Sequence, residues 1–168
     1  MIINQIAGNT ATHHLEGLTI DPLELEWYET TKRIQRKITV GGMEIAIRFL
    51  KEGQRLLQND ILYLDEHKAV VVHIKPCEAI VVSPQTMLEM GTICYEIGNK
   101  HLHLFIQEDQ VLIPYEEPLF RWLRASGFNP AKEERQLLNM LQSNATPHGH
   151  GGTSLFTKII TLASKHGG

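Results

Sequence analysis

The spacing of apolar residues changes at Lys75-Pro76, and this change divides the chain into two units of different class. Before that point apolar residues recur at every second position, the period of a half-buried strand. Met43, Ile45, Ile47 and Phe49 share one face, while Glu44 and Arg48 take the other. Gly41-Gly42 joins this arm to Ile38-Thr39-Val40 and reads as a two-residue hairpin turn, because both glycines tolerate positive φ. Asn59-Asp60 opens a strand over residues 61–64, and the polar turn 65–68 leads into another over 69–74. With a further strand at 23–27, a small antiparallel β domain is predicted over residues 1–74. Proline has no N–H for a ladder, so the domain is expected to end at Pro76.

Beyond it the periods mix. Residues 77–82 read as a strand, and Ser83-Pro84 as a helix N-cap with proline at the first helical position. Met87, Met90, Cys94 and Ile97 mark one buried helix face, and Gly98-Asn99 is the expected left-handed cap. Strands are predicted at 101–106 and 111–115, and a second helix from about Glu117, with Leu119, Trp122 and Leu123 inward. Residues 131–138 suit a strand or a helix. As a strand they complete a βαββαβ order, a ferredoxin-like domain over residues 75–142. The expected fold class is α+β, with a flexible tail over 143–168, since 144–152 has no apolar face. Residues 154–165 suit either a short amphipathic helix or a strand.

Composition narrows the function. A net charge of −3 weighs against a nucleic-acid binder, and no apolar run approaches the roughly 18–20 residues of a membrane helix. The N-terminus lacks the basic start and apolar run of a signal peptide. Cys77 and Cys94 are too few for a disulfide framework, so a reduced, cytoplasmic setting is expected. The nine histidines are about twice the usual share. His13-His14 reads as solvated surface and His73 as structural.

Glu96-Ile97-Gly98-Asn99-Lys100-His101 closely resembles the Glu-Ile-Gly-Asn-Arg-His motif of the UreE family of urease accessory proteins, with Lys100 where arginine is more usual. Met1-Ile2-Ile3, Glu44-Ile45-Ala46-Ile47-Arg48, Gly53 with Asp60-Ile61-Leu62, and the helix ending at Asn99 resemble the family in the same order. The resemblance covers about residues 1–140. It implies a metallochaperone, not an enzyme, that delivers Ni²⁺ to the urease assembly complex. It implies a homodimer in which the ferredoxin-like domains meet and each presents His101 to a shared ion. Pairing of dimers into a tetramer is left open. The implied partners are the GTPase UreG, other urease accessory proteins and the urease apoprotein. The first domain resembles the peptide-binding domain of a heat-shock co-chaperone, which implies docking of a partner segment.

The chemistry is consistent with such a role. Imidazole suits Ni²⁺ and needs no costly deprotonation at neutral pH, and Zn²⁺ or Cu²⁺ can take the same ligands. His148-Gly149-His150 can chelate from a pliant segment, and the resemblance implies that the tail adds ligands to the His101 pair. His103, two residues after His101 on the expected strand, shares its face and is available as a helper ligand. Tyr115 and Glu117 stand where some relatives carry histidines, and Glu117 still offers an oxygen. The alternative function is generic Zn²⁺ or Cu²⁺ binding, or peptide binding, without a urease role. A metallohydrolase would need three ligands and a positioned base, and no His-Glu-x-x-His grouping occurs. A base-stacking RNA module would need more aromatics than the lone Phe105 of residues 101–106.

Overall fold

The computed structural model describes residues 1–141. The first domain is built from β1 (Ile2–Ile3), β2 (Gly8–Asn9), β3 (Thr19–Leu25), β4 (Ile34–Ile38), β5 (Glu44–Arg48), β6 (Asp60–Leu64) and β7 (Lys68–Ile74). They form two sheets, ordered β1-β5-β4 and β2-β6-β7-β3. Alternation decides what each strand buries. Ile45 and Ile47 of β5 point inward to meet Leu23, Leu25, Val70 and Val72, while Glu44, Ala46 and Arg48 form its outer face.

The domain is not the purely antiparallel one that the sequence predicted. β3 runs parallel to β7 in a seven-residue register from Thr19↔Lys68 to Leu25↔Ile74, and β1 runs parallel to β5. Period-two patterning sets which face is buried but carries no information on strand direction. The β6–β7 hairpin is antiparallel as predicted.

The Gly41-Gly42 turn also differs from the two-residue form. Thr39 N–H donates to Met43 O at 3.0 Å and Gly42 N–H to Thr39 O at 2.9 Å, which leaves a three-residue loop with Gly42 at φ 84°. Gly41 is glycine for another reason: a Cβ there would lie 2.8 Å from both carboxylate oxygens of Asp21. Asp21 is only 4% exposed. It accepts from Thr39 Oγ1 and Gly41 N, each at 2.7 Å, and pairs with Lys68 Nζ at 2.8 Å. One carboxylate on β3 therefore ties together the turn of one sheet and β7 of the other.

The second domain comprises β8 (Cys77–Val82), α1 (Met87–Asn99), β9 (Phe105–Gln107), β10 (Gln110–Pro114), α2 (Glu117–Ala125) and β11 (Ala131–Arg135), a βαββαβ order. Its antiparallel sheet is ordered β11-β8-β10-β9. Ile80, Val82, Val111 and Ile113 face both helices, meeting Ile93, Ile97, Leu119 and Leu123. Ala79, Val81, Phe105 and Leu112 line the opposite face, beneath Trp27, Leu137 and Met140. Residues after β11 return to the first domain: Gln136 Nε2 donates to Ile74 O at 2.6 Å, and Leu138 packs on the first core.

Two expected boundaries move. α1 is capped by Thr86, whose Oγ1 accepts from Glu89 N–H at 3.1 Å, and not by Ser83. Thr86 and Glu89 have the Thr-x-x-Glu spacing of a capping box, which outweighs the Ser-Pro signal. β9 begins at Phe105, not at residue 101, so His101 and His103 lie outside it. Residues 131–135 are strand despite their helical propensity, because pairing with β8 claims their backbone. The tail predicted over 143–168 lies outside the described residues.

Two measurements check the Asp21 junction. Gly41→Ala should cost about 1–3 kcal/mol in urea unfolding by displacing a buried, hydrogen-bonded carboxylate, and Gly42→Ala about 1–2 kcal/mol from the left-handed backbone. Burial pushes the Asp21 carboxyl up. Hydrogen bonds from Lys68, Thr39 and Gly41, with the Lys68 charge, outweigh burial and hold it below the ordinary 3.8. Its stabilisation is therefore complete above 3.8 and lost as pH falls through the lower folded value. The stability gap between wild type and Asp21→Asn should shrink over that acid range.

Candidate functional site

The end of α1 is built by a hydrogen-bond pattern that leaves one side chain facing outward. Ile93 and Ile97 anchor the inner face of the helix. At its end His101 N–H donates to Gly98 O at 2.9 Å, and Leu102 N–H to Ile97 O at 3.3 Å. These are the paired bonds of a Schellman motif, and Leu102 joins Ile97 in the same core as its apolar contact. The residue forced into the left-handed region is His101 itself, at φ 56°. The cap expected at Gly98-Asn99 therefore falls two residues later, and those two residues are helical. Glycine is the usual occupant of this position, and histidine is among the few other residues that accept it. The imidazole is exposed at the negative end of the helix dipole, where a cation is favoured.

Its neighbours leave the imidazole unobstructed. Lys100 Nζ sits 4.3 Å from the centroid of the Trp122 ring on α2, which holds the ammonium by a cation–π contact. His103 does not share a strand face with His101, because neither residue is in a strand. Its ring stands edge-on to Trp27 at 5.3 Å. The Trp27 and Trp122 contacts were not read from the sequence, since aromatic rings carry no spacing signal for partners so far along the chain.

The other candidates are less available. Both Glu117 oxygens are engaged, accepting from the Tyr115 hydroxyl and from Arg121 Nε, and these bonds hold the carboxyl below its usual range. Burial pushes the Cys94 thiol up; burial, with the charges of Glu26 and Glu134, does the same for Cys77. Neither thiol is primed to ionise. Among the described residues no three His, Cys, Asp or Glu side chains form a metal-sized group. His148 and His150 lie outside those residues.

Comparison with known families decides the kinship. The UreE urease accessory protein N-terminal domain matches residues 3–75, and the UreE C-terminal domain matches residues 77–158. This chain belongs to the UreE family. The UreE urease accessory protein of Flavobacterium johnsoniae is 54% identical over 97% of this chain and 99% of its own length. That of Haemophilus influenzae strain PittEE is 46% identical, over 89% of this chain and 82% of its own. The UreE of Acetivibrio thermocellus is 39% identical, over 89% and 97%. The two UreE matches meet between β7 and β8, and the second runs through the segment that holds His148 and His150. None of the described helices is long and apolar enough to cross a membrane.

The backbone at residue 101 generates a prediction in which the two ring-deletion variants part. His101→Gly relieves the left-handed strain and should raise stability by about 1 kcal/mol, or about 2–4 °C in Tm. His101→Ala keeps a Cβ and should show no such gain. Calorimetric melts of the two variants beside the wild type check this.

Proposed function

We propose that this member of the UreE family is a nickel carrier that delivers Ni²⁺ to the urease assembly complex, with His101 as the central ligand. The observation that carries the reading is the exposed imidazole held at a strained left-handed backbone position on the end of a well-anchored helix. A left-handed non-glycine residue is held there by the contacts around it, and such residues cluster at ligand sites.

A homodimer is part of the proposal. The outer face of α1 leading to His101 exposes Leu88 and Tyr95, at 81% and 68%, beside Gly91 and Gly98, where added Cβ atoms would meet open space. A second copy packed on this stripe would bring two His101 rings to one ion. The βαββαβ order and the β11-β8-β10-β9 sheet support reading residues 75–142 as a ferredoxin-like dimerisation domain and residues 1–74 as the partner-docking domain. One ligand per subunit leaves the coordination sphere open, which suits an ion that must be handed on. His148 and His150 are proposed to supply further ligands from the 143–168 segment. His103 would join only by leaving Trp27. Zn²⁺ and Cu²⁺ compete for the same imidazoles. Cytoplasmic UreG, the other accessory proteins and the urease apoprotein are the proposed receivers, and the role is carriage without catalysis.

Calorimetric titration with Ni²⁺ tests the assignment. His101→Ala should abolish the tight site, whereas truncation before Ser143 should weaken it without removing it. A monomeric protein, or full nickel loading of His101→Ala, would overturn the proposal. Sedimentation equilibrium with and without Ni²⁺ separates a dimer from a tetramer.

A further inference from the structure

The outer face of the β1-β5-β4 sheet carries aliphatic side chains in water that no packing requirement explains. Strand alternation places Ile2, Ile34 and Ile38 there, with Ile34 78% and Ile38 64% exposed. The register sets Ala46 at the centre, opposite Ile2 on one side and Arg36 on the other. Ile34 stands across from Arg48, and Ile38 from Glu44. The small Ala46 side chain makes a floor between larger neighbours, and a cleft of about 700 Å³ opens over it. That volume lies within the range of about 300–1,000 Å³ typical of ligand sites.

The charge on this face is positive. Arg36 and Arg48 have no carboxylate partner among the described residues, whereas Lys37 is paired with Glu29 at 2.5 Å. The Met1 ammonium lies at the rim, donating to Glu44 O at 2.8 Å. Glu44 supplies the one carboxylate among the lining side chains.

We infer that this face binds an extended, acidic segment of a partner protein through one bulky apolar anchor seated on Ala46. Side chains of an extended segment repeat every second residue, so a carboxylate two residues from the anchor reaches Arg48 along β5, and Arg36, beside Ala46 on β4, is within reach of another. Arginine binds carboxylates through a planar fork and so fixes direction as well as charge. The inference rests on the partner-docking role proposed above for the first domain, and gives it a place and a chemistry.

The test uses the full chain and two fluorescein-labelled nonapeptides. One has a central phenylalanine with glutamates at alternate positions on either side; the other has lysines in their place. Fluorescence anisotropy at low salt should show the glutamate peptide binding at least tenfold more tightly. The double variant Arg36→Glu/Arg48→Glu should reverse that preference, and Ala46→Gln should weaken binding at least tenfold by filling the floor. Thermal melts establish that the variants fold, and their Ni²⁺ isotherms should match wild type. The carrier reading and this one therefore fail separately. Equal affinity for both peptides, or indifference to the arginine reversal, overturns the inference. So does a fall in oligomer size on Ile38→Asp, which would make a second copy the occupant.

Discussion

The indole of Trp27 is shared by two hydrophobic cores, and with Leu138 and the Gln136–Ile74 bond it joins the domains. It packs with the interior of the first domain and, from the short 3-10 turn after β3, reaches the underside of the second domain's sheet. There it meets Phe105 edge-on at 5.6 Å and His103 at 5.3 Å. The need for such a lid follows from β8, whose side chains are apolar on both faces: Ile80 and Val82 toward the helices, Ala79 and Val81 away from them. Leaving Phe105 and Leu112 in water would forfeit about 1.5–3 kcal/mol each. The segment between His101 and Phe105 is thereby pinned at both ends, by the Schellman turn and by this aromatic contact.

Much of this arrangement was legible in the residues. Strand faces followed from alternation, and the change of period at Lys75-Pro76 falls between β7 and β8. What escaped were features set by relations between distant segments. β3 reads the same whether it lies parallel or antiparallel to β7. Gly41 resembles a turn glycine until Asp21, twenty positions earlier in the chain, is found against it. Thr86 could have been preferred over Ser83, since its partner Glu89 stands at capping-box spacing.

At the end of α1 the conformation of the backbone was not legible. The hexapeptide pointed to His101, but its glycine and asparagine suggested that they would take the left-handed turn. Burial of Ile93 and Ile97 on one face sets where the helix stops, so the turn falls on histidine. The strand assumed for residues 101–106 failed for the same reason, and with it the geometric argument that coupled His103 to His101.

The parallel register of β3 with β7 has a kinetic corollary. Thr19 and Lys68 lie about fifty residues apart, and a loop of that size must close before any of that ladder is rewarded. During synthesis β1, β4 and β5 can pair as soon as residue 48 is made, but β3 has no partner until residues 68–74 emerge. The addition of β3 to its sheet is thus the late step in building this half of the chain.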